Sequence, residues 1–159
     1  MIPSFPYRER LIGLDDSVAQ GILTQPWQIW LRGVVDALNA APQVQTRVTG
    51  TPTGATIPST VLLADTGSAG VFRVSWFLRI TQAATTSSSV AVTVAFTDGV
   101  ALTVSGAAVT GNTTSTFQQQ SVIVRCDANS SLSYSTTYSS VGATPMQYAL
   151  SVVVERVNG

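Results

Sequence analysis

The chain has 159 residues, the size of one domain or of one domain with an appended arm, and only 10% of them are charged. Its eight basic residues are all arginine and its formal net charge is zero, which argues against a nucleic-acid partner, because such proteins display a basic face. A surface with so few charges favours association. We therefore expect part of it to be covered by copies of the chain or by a partner.

Residues 1 to 23 are predicted to form an extended arm. They contain two prolines and show no clear periodicity, so they have little reason to fold alone. Charged residues stand where a signal peptide would need an apolar stretch, and no run in the chain reaches the roughly eighteen apolar residues of a membrane span. We therefore expect synthesis in a cytoplasm and no membrane insertion.

Residues 24 to 41, "TQPWQIWLRGVVDALNAA", are predicted to contain a short amphipathic helix. Thr24 or Gln25 can cap it, Pro26 suits its first turn, and "APQ" ends it. Spacings of three and four residues place five apolar side chains on one side of this helix. These residues are Trp27, Trp30, Leu31, Val34 and Leu38.

This apolar stripe has two interpretations. It packs on the β domain of its own chain, or it serves as an oligomer seam or docking surface. We favour the second, because the arm has no fold of its own, the β domain has enough apolar residues to fill its core, and the low charge indicates assembly. A parallel bundle of three such helices would bury both tryptophans, but helices this short are marginal alone, so the β domains would have to associate as well.

Residues 42 to 159 are predicted to form a β domain. The clearest strand is "VFRVSWFLRIT", in which Phe72, Val74, Trp76, Leu78 and Ile80 share one face. Further strands are predicted in "SVAVTVAFT", "VALTV", "SVIVRC", "SLSYSTTY" and "MQYALSVVVERV", with shorter ones at 43–49 and 59–64.

The turns between these strands suggest the architecture. Asp98-Gly99 predicts a tight hairpin, and "DANS" suggests a second hairpin between its flanking strands. Seven or eight strands with Gly-, Ser- and Thr-rich turns predict a mainly β fold, an antiparallel β-sandwich of jelly-roll type whose topology is left open. Outward positions carry many Ala, Ser and Thr residues, which suit either contact with another subunit or a hydroxyl-rich solvated surface.

Residue content disfavours catalysis. The chain has no histidine, which excludes the usual Ser/His/Asp and Cys/His arrangements, and its single cysteine, Cys126, excludes an intrachain disulfide. We expect Cys126 to be a buried small residue, and we predict no cofactor and no metal site. Paired carboxylates stay conceivable but in weak contexts, so we predict that the chain is not an enzyme. The acids considered are Asp15, Asp16, Asp65, Asp98, Asp127 and Glu155.

Sugar binding is a separate possibility, since jelly rolls are common among lectins. Trp76, Tyr134 and Tyr138 could offer stacking faces, but their strand positions predict that they are mostly buried. Contacts with a host surface would be expected in loops at 50–58, 65–70, 105–116 and 139–145.

Several stretches carry a resemblance to a known group of proteins. "GVFRVSWFLRITQAATTSSSVAVTVAFTDG", "TGNTT" and "TTYSSVGATPMQYALSVVVERV" resemble a β domain of tailed-bacteriophage structural proteins of tail, fibre or head-appendage type. "TQPWQIWLRGVVDALNAA" is similar to the tryptophan-bearing helix that precedes such domains. The resemblance covers most of residues 24 to 157 and consists of packing and turn residues. The best-matching positions are Tyr138, Gly142, Met146, Tyr148 and Glu155.

The resemblance implies a trimeric virion structural protein whose N-terminal segment docks on the particle, and it carries no catalytic residues. Its expected partners are copies of itself and the portal, tail or capsid proteins of the virion. Two alternatives stay open: a capsid decoration, or cement, protein that reinforces the lattice, and a module that binds a host receptor or glycan. A hydrolase would require two carboxylates to converge in a cleft.

Overall fold

The computed structural model describes residues 25–39 and 42–158, which belong to two separate compact units that meet in sequence at Ala41 and Pro42. The first unit contributes one helix, α1, which spans Gln25–Asn39. Pro26 lies in its first turn, where the missing backbone N–H has no intrahelical acceptor to lose. The short helix predicted from sequence is therefore present, while the predicted arm, residues 1–23, lies outside the described residues.

The second unit is a sandwich of two antiparallel four-stranded sheets, and the predicted fold class is confirmed. Its strands are β1 (Gln43–Thr49), β2 (Thr60–Leu63), β3 (Gly70–Gln82), β4 (Ser87–Asp98), β5 (Val100–Ser105), β6 (Phe117–Cys126), β7 (Leu132–Val141) and β8 (Gln147–Asn158). Sheet 1 has the order β1-β8-β3-β6, and sheet 2 has the order β2-β7-β4-β5. The chain changes sheet at every connection except β4 to β5, which is the winding of a double-sheet jelly roll.

The core follows from period-two alternation along the strands. The five apolar residues predicted on the inner face of β3 are all at most 2% exposed. Val90, Val92 and Val94 of β4 are fully buried as well. Successive side chains of a strand point to opposite faces, so every second residue enters the space between the sheets. The core cluster of the described residues contains side chains of the β domain alone.

One of the two predicted hairpins is correct. β4 and β5 pair up to Asp98 opposite Val100, and Gly99 between them has a φ of 70°, which glycine adopts at little cost. The hairpin predicted around "DANS" is wrong, because β6 pairs with β3 in sheet 1 whereas β7 pairs with β2 and β4 in sheet 2. That turn, with Asn129 at a φ of 54°, carries the chain across the core. Strands that face each other across a core show the same alternation as strands that pair, so the pattern could not distinguish them.

Buried hydroxyl groups tie the two sheets together. Thr136 Oγ1 of β7 lies 2.7 Å from Tyr148 OH of β8. Tyr148 OH donates to the Ala55 carbonyl at 2.8 Å, and the Ile57 N–H donates to Thr136 Oγ1 at 2.8 Å. Because a phenol has one proton, Thr136 is the donor in the bond between the two hydroxyls. The β1–β2 connection is thereby fixed to both sheets.

Candidate docking and binding surfaces

Helix α1 carries the five residues predicted for oligomerisation or docking. The Trp27 and Trp30 rings meet edge to face, with centroids 5.6 Å apart and an interplanar angle of 76°. Both tryptophans and Val34 are half-buried, whereas Leu31 is exposed and Leu38 is 62% exposed. Aromatic pairs prefer this edge-on geometry, which also holds both rings in a defined orientation.

The stripe is wider than the sequence reasoning stated. Val35 follows Leu31 by four residues, so it lies on the same side of α1, and it is exposed. Ile29 is exposed too, but it shares the opposite side with Arg32 and Asp36. An amphipathic helix with an apolar stripe of this width can join a helix bundle or lie in an apolar groove.

The aromatic residues considered for sugar stacking belong to the core. Trp76 is 2% exposed and Tyr134 is 6% exposed. Tyr138 is half-buried; its ring stacks on Tyr148 at 6.0 Å, and its hydroxyl donates to the Met146 carbonyl at 2.7 Å. The expectation that these three residues are mostly buried is confirmed, so none of them offers an open stacking face.

The acidic side chains of the β domain accept hydrogen bonds from backbone N–H groups in turns or form ion pairs with arginines. Asp65 and Asp127 accept backbone N–H bonds from Gly67 and Gly99, each at 2.7 Å. Asp98 lies 3.8 Å from Arg125, and Glu155 lies 3.4 Å from Arg73. Asp15 and Asp16 fall outside the described residues.

Neither a metal-ligating cluster nor a membrane-spanning helix is found in residues 25–39 and 42–158. In these ranges, no three His, Cys, Asp or Glu side chains form a group that could hold a metal ion. Within the same ranges, α1 is the helix present, and it is too short and too polar to cross a membrane.

Cys126 is fully buried, as predicted. Burial, together with the nearby carboxylates of Asp98 and Asp127, raises the pKa of its thiol to about 11. The thiolate is the nucleophilic form, so at neutral pH this cysteine is an inert packing residue.

The outer face of sheet 1 is assembled from side chains of all four strands. The register of the sheet aligns them in rows that run across the strands. One row is Arg47, Val153, Ser75 and Ser121; the next is Thr49, Ser151, Phe77 and Gln119; the third contains Ala149, Arg79 and Phe117. Small side chains fill the middle of this face and larger ones stand around them.

This arrangement leaves a shallow groove of about 640 Å³ on the outer face of sheet 1. Ser75, Ser121 and Ser151 contribute hydroxyl groups to its lining, with Arg47 and Phe77 beside them. The Ser75 and Ser121 hydroxyls lie 3.0 Å apart, which joins β3 to β6 on the outside as well. The groove therefore combines hydroxyl and amide groups with apolar atoms of Phe77 and Val153.

An exposed aromatic pair lies next to the groove. The rings of Phe77 and Phe117 are 5.9 Å apart with a tilt of 34°, and the two residues are 42% and 61% exposed. Arg79 is the direct cross-strand neighbour of Phe117. Single exposed apolar side chains are common on protein surfaces and need no explanation. Two of them in contact, next to a cation, form a small apolar patch of the kind that marks an interaction site.

The outer face of sheet 1 also concentrates positive charge. Of the five arginines in residues 42–158, Arg47, Arg73, Arg79 and Arg125 have outward register positions on this sheet. Arg73 and Arg125 have acidic neighbours, but Arg47 and Arg79 form no ion pair with any residue that the structure describes. The face therefore has an excess of positive charge, although the whole chain is neutral.

The outer face of sheet 2 is different in kind. Most of its register positions on the three longer strands carry small or hydroxyl-bearing side chains without charge, and Val141 at the end of β7 is an exposed apolar exception. The small and hydroxyl-bearing residues are Ser89, Ala91, Thr93, Ala95 and Thr97 of β4, Ser133, Ser135, Thr137 and Ser139 of β7, and Ala101, Thr103 and Ser105 of β5. Both sequence interpretations of such a face, subunit contact and solvated surface, stay predictions.

Sequence reasoning did not single out the groove and its arginines. Arg47, Arg79 and Phe117 are far apart in the chain and become neighbours through the order β1-β8-β3-β6. One local signal was present, since Phe77 occupies an outward position among Arg73, Ser75 and Arg79 in an otherwise regular alternation. An aromatic residue there is unusual for a solvated strand face.

Comparison with known proteins adds no relative. No protein-family model matches the chain, and no curated protein matches it at a significant level. The likeness of the quoted stretches to phage structural proteins is therefore a sequence-based expectation.

Proposed function

We propose that this chain is a structural subunit of a tailed-bacteriophage virion, a trimeric tail, fibre or head–tail appendage component. It docks on the particle through residues 1–23 and α1. The observation that supports this proposal is the exposed apolar stripe of α1 in a chain whose β domain fills its own core.

The stripe is better suited to association than to solvent. Leu31, Val35 and Leu38 present exposed branched side chains along one side of α1. Burial of apolar surface is worth about 25 cal/mol per Å², so covering this side stabilises an assembly. Three copies of the helix, side by side, would bury the Trp27 and Trp30 rings at the centre of a bundle.

The helix is too short to hold such an assembly without help. Its 15 residues form roughly four turns, and isolated helices of this length are marginal in water. Contacts between β domains or with a neighbouring virion protein must add to it. The jelly roll is compatible with this role, since capsid domains use it, but lectins use it too, so the fold alone does not decide between them.

The native mass of two chains tests the trimer. Light scattering is measured for the full chain and for a chain that begins at Gln43, and we expect a trimer for the full chain. A trimer in both cases assigns assembly to the β domains and leaves α1 as the anchor, whereas a trimer of the full chain alone makes α1 the seam. Monomers in both cases contradict the trimer and would favour a decoration subunit.

A second measurement tests the virion role. Peptides of this chain are expected in the mass spectrum of purified particles of the virus that encodes it, at a constant ratio to the portal protein. Their absence from washed particles would contradict the proposal.

A further inference from the structure

We propose that the outer face of sheet 1 binds an acidic polysaccharide, a linear carbohydrate that carries carboxylate groups, with Arg47 and Arg79 holding the acids and the Phe77–Phe117 pair contacting a sugar ring. The proposal does not depend on the virion role, because it uses only the β domain. It assigns a ligand to a face for which sequence reasoning had no function.

The charge on the face selects an anionic ligand. Arg47 and Arg79 have no ion pair among the described residues, and a guanidinium group binds a carboxylate through two parallel hydrogen bonds. Their register positions are two strands and two rows apart, which strand geometry converts to roughly 17 Å between Cα atoms. A polymer with repeated acids can place a separate carboxylate on each of these arginines.

The groove selects a carbohydrate among polymeric anions. Ser75, Ser121 and Ser151 offer hydroxyl groups, of which one proton is used in the Ser75–Ser121 hydrogen bond, and Gln119 adds an amide. Together these groups match the hydroxyl groups of a sugar chain. The exposed Phe77 and Phe117 rings supply an apolar surface for the less polar side of a sugar ring. These groups are carried on paired strands, so the site is formed before the ligand arrives.

Other occupants fit less well. A second copy of the same face would bring its arginines against these arginines, and like charges in contact disfavour such an interface. Nucleic acids and densely sulfated polymers owe much of their affinity to many neutralised charges. Two uncompensated arginines on a neutral chain supply little of that term, so a carboxylate polymer that also offers hydroxyl groups is the better match.

Calorimetric titration of the full chain with four probes tests the ligand class. The probes are polygalacturonate, neutral dextran, poly-L-glutamate and oligo(dT). We expect binding of polygalacturonate, no binding of dextran, and weaker binding of the other two, because poly-L-glutamate lacks hydroxyl groups and oligo(dT) is recognised by charge. Failure to bind polygalacturonate, or tighter binding of poly-L-glutamate or oligo(dT), overturns the proposal.

Substitutions locate the site. The double variant Arg47→Gln/Arg79→Gln is expected to lower the affinity for polygalacturonate about tenfold or more, since each arginine loses a charge-assisted bond. Phe117→Ser is expected to weaken polygalacturonate binding and to leave poly-L-glutamate binding unchanged. Circular dichroism and thermal melting establish that each variant is folded before its affinity is compared.

A matched pair of variants separates the face from net charge. Ser121→Glu adds a carboxylate to the groove, and Ser139→Glu adds the same charge at an exposed strand position on the outer face of sheet 2. We expect Ser121→Glu to abolish polygalacturonate binding and Ser139→Glu to leave it within about twofold. Equal losses would show that only net charge matters and would overturn the proposed site. This pair of variants tests the location of the site even if the double arginine variant does not fold. Binding of polygalacturonate by a monomeric chain would contradict the proposed trimer and leave the proposed binding site intact.

Discussion

Gly111 lies directly against the buried side chain of Met146. A Cβ atom at position 111 would overlap Met146 Sδ and Cγ, and Met146 is fully buried. The Gly111 N–H donates to Ser88 Oγ at 2.8 Å, and Ser88 Oγ donates to Asn112 Oδ1 at 3.0 Å. The connection between β5 and β6 therefore packs against the core at Gly111, where any larger residue would clash with Met146.

Substitution of Gly111 by alanine is expected to lower the free energy of unfolding by about 2–3 kcal/mol, because the added methyl group overpacks the site. Urea unfolding followed by tryptophan fluorescence measures the change. In the double variant Gly111→Ala/Met146→Ala, the added methyl group enters the space that Met146 vacates. The double variant should therefore lose less unfolding free energy than the two single variants lose in sum. An additive result would contradict the proposed overlap.

Removal of the Tyr148 hydroxyl is expected to destabilise the sandwich. Tyr148→Phe leaves the Ala55 carbonyl and the Thr136 hydroxyl without their partner, which costs about 1–3 kcal/mol for buried groups. Tyr134→Phe is the control, since no described residue forms a hydrogen bond with the Tyr134 hydroxyl, and a change below about 0.5 kcal/mol is expected. Similar losses in both variants, measured by thermal or urea unfolding, would rule out a special role for the inter-sheet bond.

Stability is expected to fall in alkaline solution, partly because of Cys126. Burial and the Asp98 and Asp127 carboxylates raise the pKa of its thiol from 9.0 to about 11. The folded state therefore holds the proton more tightly than the unfolded state, so this stability is complete below pH 9 and is lost between pH 9 and pH 11.

The Cys126→Ala variant isolates that contribution. Between pH 8 and pH 11, the wild-type protein should lose up to ~2 kcal/mol more unfolding free energy than the variant. Tyr148 adds a loss of the same sign in both proteins, because burial raises the pKa of its phenol, and that loss cancels in the comparison. Parallel pH profiles for the two proteins would show that the thiol pKa is not raised.

The apolar stripe of α1 is expected to control the oligomeric state. Leu31→Glu places a charge within the stripe and should reduce a trimer to monomers at micromolar concentration in sedimentation velocity. Ile29→Glu is a matched control, because it makes a similar apolar-to-acid change at an exposed position on the other side of the same helix. Dissociation by both variants, or by neither, would contradict a role of the stripe as the seam of the trimer.

Strand faces were predictable from the sequence, whereas strand partners were not. The inner residues of β3 follow from alternation alone, since a residue two positions on always returns to the same face. The Asp98-Gly99 hairpin was predictable because its turn requires a local backbone conformation. The turn after β6 has similar residues but joins different sheets, and that choice depends on contacts with β3 and β4 that lie far away in the chain.

The same distinction applies to the candidate surfaces. The stripe of α1 depends on spacing within one helix, so Trp27, Trp30, Leu31, Val34 and Leu38 could be proposed in advance, and whether they mediate assembly stays a prediction. The groove of sheet 1 depends on the register among four strands, so its arginines could not be associated from sequence. Surfaces built within one element are predictable, and surfaces built across elements require the topology.

The pairing of β1 with β8 determines how the β domain responds to a pull. Gln43 lies opposite Arg156, so the chain enters and leaves the domain at the same end of one antiparallel pair. The hydrogen bonds of such a pair are perpendicular to the strands, so tension between these two ends opens them one after another, as in a zipper. The irregularity between Val44 and Thr46 lies at the end where this opening begins. Mechanical load would therefore detach β1, and Arg47 with it, before it disturbs β3 or β6.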